Sequence, residues 1–180
     1  MTSSNERGYT LTEVIGVLSI VGVLVISMSM LVNSMFSRYK TNRVQDQIVS
    51  LQKLINQRFV ADGNYRSATK QQLIKDGVIP KDMIVGDKIM HAFGAADIKP
   101  GYLTFTIVFS DLPQAACINL GVMSWVIQDT SDLVSIKINS DKFKWPGALQ
   151  NQTSALPITT VMAAKSCKRG SDNVIEWEFQ

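Results

Sequence analysis

Twenty-four consecutive residues, Val14 to Ser37, contain no Asp, Glu, Lys, Arg or His. Nothing else in the chain restricts its fold so strongly. As a helix at about 1.5 Å per residue, such a stretch reaches roughly 36 Å, enough to cross a bilayer core with some tilt. A cleaved secretory signal has a shorter apolar stretch followed by small residues at the cut. Here the run ends Asn33-Ser34-Met35-Phe36-Ser37 and then meets Arg38, with no Ala-x-Ala. The segment therefore reads as a retained single membrane helix. Outside it the chain resembles an ordinary soluble domain. The charged share of 18% is low mainly because of this one stretch. The pattern excludes a disordered chain and a disulfide-dense miniprotein, and no second apolar segment suggests a multi-pass transporter.

The helical pattern continues past the membrane. Val44, Ile48, Leu51, Ile55 and Phe59 recur at intervals of 4, 3, 4 and 4, with Arg43, Asp46, Gln47, Lys53, Asn56 and Gln57 on the other faces. That is one apolar stripe on an amphipathic helix. Asp62-Gly63-Asn64 supplies a stop. One helix of about 50 residues is predicted, from roughly Thr10 to Ala61. Beyond it, Thr69-Lys70-Gln71-Gln72 resembles a capping box for a short helix ending near Gly77. Residues 78–80 and 83–85 read as an irregular apolar loop, and Gly94 to Gly101 as turn-rich.

Tyr102 to Phe109 alternates, with Leu103, Phe105, Ile107 and Phe109 on one face. It is predicted to be a half-buried strand. Asp111-Leu112-Pro113 is expected to open a short helix carrying Ala115, Ala116, Cys117 and Leu120. Leu133 to Ile138 and Val174 to Phe179 are further strands, the last placing Ile175, Trp177 and Phe179 on one face. The stretch 154–164 is helical toward its end. The expected class is α+β: a long N-terminal helix, half membrane-embedded and half amphipathic, packed on an antiparallel β-sheet.

Chemistry is sparse. His91 is the single histidine, so a Ser-His-Asp or Cys-His constellation has little to build on. No phosphate loop and no His-Glu-x-x-His occurs. No cofactor, metal or catalytic residue is expected, and the chain is not expected to be an enzyme. Asp62, Asp76, Asp82 and Asp87 read as loop solvation, Met28, Met30 and Met35 as lipid-facing or packing residues, and Asn151-Gln152-Thr153 as an incidental sequon. A net charge of +3 without a basic stripe gives no direct case for nucleic acid. Arg38, Lys40 and Arg43 would sit at lipid head groups, and Lys165, Lys168 and Arg169 on a solvated face. Cys117 and Cys167, 50 positions apart, form a disulfide if the domain is exported, or two buried thiols if it is cytosolic.

Glu13, at the mouth of the uncharged run, is either an interfacial carboxylate favoured by the helix N-terminus or one awaiting a cation from another subunit. Arg7-Gly8-Tyr9-Thr10-Leu11-Thr12-Glu13-Val14-Ile15 resembles the processing site of type IV prepilins and pseudopilins. The resemblance implies that residues 1–8 are a leader and that a prepilin peptidase cuts after Gly8 and methylates the new N-terminus, Tyr9. It also implies that Glu13 neutralises the N-terminal amine of a neighbouring subunit. Tyr9 departs from the more usual Phe, Met, Leu or Val, the short leader is like that of the type IVa branch, and no proline precedes Pro80. The rest is more similar to a type IVb pilin, through Gln72-Leu73-Ile74-Lys75-Asp76-Gly77-Val78-Ile79-Pro80, Phe105-Thr106-Ile107, Ala116-Cys117 and Cys167. In that family the two cysteines are bonded and close a surface region near the C-terminus.

The expected organisation is thus leader 1–8, long helix 9–62 with a span at 14–37, and a globular domain at 63–180. The implied role is a structural subunit of a type IV pilus, a homo-oligomeric helical filament serving adhesion, aggregation or DNA transfer. Partners would be the peptidase, an inner-membrane assembly platform and, before assembly, membrane lipid. Alternatives are a minor pilin, a type II secretion pseudopilin and, from another class, an exported membrane-anchored enzyme. The flanking charges alone would hold the domain in the cytoplasm. The resemblance places it in the periplasm and then outside the cell, and the charge rule is weak for long translocated domains.

Overall fold

In the computed structural model, which describes residues 10–123, 132–145 and 155–180 and omits the side chains of Met30, Leu31, Asn33 and Ser34, the first element is one unbroken helix, α1 (Leu11–Phe59). The chain divides between Tyr39 and Lys40 into two compact units. In the first, every described side chain of α1 is exposed. In the second, the stripe Val44, Ile48, Leu51, Ile55 and Phe59 is at most 1% exposed. Burying a side chain of this size contributes roughly 1.5–3 kcal/mol, so this stripe is a principal part of the core. A 3-10 turn, Val60–Asp62, ends the helix, and Gly63 at φ 62° reverses the chain. That left-handed conformation is open to glycine at no steric cost.

Next comes α2 (Lys70–Lys75), whose start is half a capping box. Thr69 Oγ1 accepts from Gln72 N at 3.3 Å, while the Gln72 side chain turns to Asp76 at 2.7 Å. Seven antiparallel strands follow: β1 (Ile84–Val85), β2 (Lys88–Met90), β3 (Ala95–Pro100), β4 (Phe105–Leu112), β5 (Leu133–Ile138), β6 (Asp141–Lys144) and β7 (Asn173–Phe179). Their spatial order is β1-β2-β3-β4-β7-β5-β6. The C-terminal strand thus lies in the middle, with Ile107 and Ile136 on either side of Trp177. Helices α3 (Gln114–Gly121) and α4 (Thr160–Ser166) complete the domain.

The inward face carries Phe105, Ile107, Phe109, Leu133, Ile136, Ile138, Ile175, Trp177 and Phe179, in one cluster with the α1 stripe. Phe109 meets Trp177 edge-on at 5.6 Å, and Tyr65 packs on Phe105 at 4.8 Å. The opposite face carries cross-strand ion pairs. Glu176 takes Lys99 at 3.0 Å and Lys137 at 3.3 Å; Glu178 takes Lys142 at 3.0 Å and Ser135 Oγ at 2.7 Å. These donors hold the Glu178 carboxyl, and against the opposing effect of burial the Glu176 carboxyl, below the usual range.

Several expectations are corrected. The apolar loop after α2 contains a 3-10 turn, Lys81–Met83, and the β1–β2 hairpin. The turn-rich stretch is mostly strand β3, paired with β4 from Ala96↔Phe109 to Pro100↔Phe105. Strand β6 has no counterpart among the sequence expectations. Leu103 is 64% exposed, because it precedes the strand. Asp111 and Leu112 do not open a helix: they prolong β4 across an irregularity with Asp111 at φ 60°.

Candidate functional site

The features with no use inside the domain lie at the helix N-terminus. Thr10 precedes α1, and its carbonyl accepts from Glu13 N at 3.0 Å and Val14 N at 3.2 Å. Glu13 therefore occupies the first turn, where the helix dipole favours a carboxylate. From Leu11 to Ser29 the mean hydropathy is 2.3 and none of the segment is buried. Its polar atoms are satisfied locally. Ser19, Ser27 and Ser29 donate to the carbonyls of Ile15, Val23 and Val25, each at 2.8 Å. A helix that closes its own hydrogen bonds can enter hydrocarbon. The helix runs uninterrupted through Gly16 and Gly22. Gly8 and Tyr9, like Met30 and the Asn151 sequon, lie outside the described residues or side chains.

The second feature is the end of the domain closed by the cysteines. Cys117 of α3 and Cys167, which follows α4, are joined in a disulfide. The motif is backed by an asparagine that sequence reasoning passed over. Asn173 is fully buried. It donates to Leu112 O and Lys168 O, both at 3.0 Å, and accepts from Lys168 N at 2.7 Å and Asn139 Nδ2 at 3.0 Å. Asn139 also donates to Ser166 O at 2.8 Å and accepts from Val174 N at 3.0 Å. These contacts tie the segment after α4 to β4 and β7. No local signal marks Asn173, because asparagine beside Gly170-Ser171-Asp172 looks like a turn residue. Asn173→Leu strands the Lys168 N–H and two carbonyls. It should lower stability by about 2–4 kcal/mol in urea denaturation of the detergent-solubilised chain.

Charged residues placed in loops by sequence reasoning brace α1 instead. Asp82 Oδ2 accepts from Arg43 at 3.1 Å and Gln47 at 3.5 Å, and the Arg43 hydrogen bond holds its carboxyl below the usual range. Arg58 reaches Asp76 at 3.0 Å and Asp62 at 3.3 Å. Arg43 is therefore not simply a head-group residue. Asp87 is exposed, as are Lys165, Lys168 and Arg169. Asp132 accepts from Asn56 at 2.7 Å, and Asn56 accepts from Tyr65 OH at 3.0 Å. Burial, with Asp132 second, raises the Tyr65 phenol pKa. No group of three His, Cys, Asp or Glu able to hold a metal occurs among the described residues.

Known proteins match the domain that carries the disulfide. The family described as PilS N terminal matches residues 37–179. No curated protein sequence matches the chain. Among solved structures, the type IVb pilin from Salmonella typhi superposes with a TM-score of 0.51 at 19% identity, over 74% of this chain and 97% of that one. TcpA, a type IV pilin from the Vibrio cholerae El Tor biotype, gives 0.51 at 14% identity, over 79% and 99%. The fold is shared with these two, and by its family match the chain belongs to the PilS N-terminal family.

Proposed function

We propose that this pilin is a structural subunit of a type IV pilus filament, held in the inner membrane by residues 14–37 until it is assembled. The observation that carries the proposal is α1 itself. An uncovered apolar segment continues as one helix into the core stripe of a pilin-fold domain. Lipid satisfies the apolar half before assembly, and like helices of neighbouring subunits satisfy it afterwards. Extraction then exposes no large apolar surface to water. The role needs positioning and packing rather than catalysis. The disulfide supports a domain folded in an oxidising compartment, here the periplasm.

In this scheme a prepilin peptidase removes residues 1–8 and methylates Tyr9, and an inner-membrane platform adds the subunit to the filament. Substituting Gly8 by a larger residue should block maturation, leaving the uncut chain in the membrane. Mass spectrometry of sheared surface filaments should find the 180-residue chain less its first eight, starting at Tyr9. Filaments that contain residues 1–8 would overturn the processing scheme. Recovery of the mature chain only from the membrane, never as the bulk of a filament, would move the role to a minor pilin or a pseudopilin.

A further inference from the structure

The role proposed above makes no use of the chain's single histidine, yet both of its ring nitrogens are engaged. His91 follows β2, is 7% exposed, and stacks on Phe109 with ring centroids 4.4 Å apart and planes 11° apart. Nε2 lies 2.9 Å from Ser110 O. A carbonyl only accepts, so Nε2 carries the hydrogen. Nδ1 accepts from the backbone N–H of Phe93 at 3.2 Å. The ring is therefore the neutral Nε2–H tautomer, assigned from its partners.

His91 N also donates to Gly94 O at 2.8 Å, closing the β2–β3 turn, and Phe93 N–H completes that turn only while Nδ1 is bare. Gly94 fits because a Cβ there would lie 2.5 Å from Asp111 Cβ. The imidazole thus does what an Asn side chain does in an Asx turn, accepting from the amide two residues on. A proton on Nδ1 would set one N–H against another and place a charge in a buried site. The charges facing this turn are Asp111 of β4, which favours the protonated ring, and Lys40 of α1, 5.9 Å over the Phe93 ring. The carbonyls of Ser110 and Ala95 also favour protonation, but burial outweighs them and holds the imidazole pKa below 6.5.

We propose that His91 is a proton-operated latch on the β2–β3 turn, which when protonated opens that turn while β4, β7 and β5 stay paired. The latch does not depend on the filament role. Because the folded pKa lies below the unfolded one, the closed turn is fully stable above about pH 6.5 and loses stability as pH falls through the folded pKa.

The test uses the full chain, isotope-labelled in detergent micelles, from about pH 7.5 to 4.5. NMR follows His91 protonation, and hydrogen exchange, corrected for its intrinsic pH dependence, follows the Phe93 and Trp177 amides. As His91 protonates, Phe93 exchange should rise about tenfold or more while Trp177 stays protected. His91→Asn keeps an acceptor for the Phe93 amide without a titrating group, so Phe93 protection should become independent of pH. Three results would overturn the latch: protonation of His91 with Phe93 protection unchanged, an imidazole neutral throughout the range, or the same pH dependence in His91→Asn. Should the variant fold poorly, the wild-type titration decides alone, because it reads both events in one molecule.

Discussion

Glu13→Gln should leave membrane insertion, cleavage after Gly8 and folding of the domain intact, and cut filament yield by about tenfold or more. Insertion depends on the apolar run after it, which the substitution does not touch. Folding depends on the core of the second unit, which contains no residue before Val44. The carboxylate sits in the first turn of a helix whose next 24 residues are uncharged. At a membrane surface, water and the helix dipole suffice for it. In the interior of a helical bundle water is gone, and a lone carboxylate there must find a cation. Under the processing scheme the cation at hand is the amine of Tyr9 on a neighbouring subunit. Glutamine keeps the shape but removes the charge, leaving that amine unpaired in a low-dielectric site, where the loss of one partner is felt in full. Shearing and electron microscopy of cells expressing the variant, with immunoblots for the processed chain in membranes, separate assembly from maturation. Wild-type filament numbers would reduce Glu13 to an interfacial residue.

What could be read in the sequence follows signal length. α1 was legible because five apolar positions kept one helical face over four turns, and β7 because Ile175, Trp177 and Phe179 alternate inward, while β5 stood out as a short apolar run whose inward Leu133, Ile136 and Ile138 are offset by a register shift. The short members of the sheet gave no such signal. In β6 only Phe143 is buried, and in β3 only Ala96 and Ile98, so no alternation builds up. β3 is a strand because β4 pairs with it, a tertiary effect that overrides the weak strand propensity of Ala95-Ala96-Asp97. Its flanking glycines looked like turn signals, and Gly94 is indeed required, but for close approach to Asp111. Of the site, Glu13 and the cysteines stood out by position and type. Asn173 and His91 did not, since their roles come from backbone groups brought near only by folding.

Removing the disulfide, as Cys117→Ala with Cys167→Ala, should keep the fold and lower its stability by about 4 kcal/mol. The magnitude follows from closing a loop between cysteines 50 positions apart in the chain-entropy model. For a chain of this size that corresponds to a fall in Tm of about 8–16 °C. Alanine is the cleaner replacement, because Cys117 and Cys167 are buried and serine would add hydroxyls needing partners. The fold should survive because the Asn173 bonds to Leu112 O and Lys168 hold the same segment without the sulfurs. That redundancy makes a second expectation. Either restraint alone keeps the end after α4 closed, so losing both costs more than the two losses added. Asn173→Leu in the disulfide-free background should exceed additivity by about 0.5–3 kcal/mol, the range for sites sharing one network. Urea denaturation of the four proteins in detergent, followed by near-ultraviolet circular dichroism, measures the cycle. Strict additivity would mean that the disulfide and Asn173 stabilise separate parts of the domain, and the account of one doubly fastened end would fall.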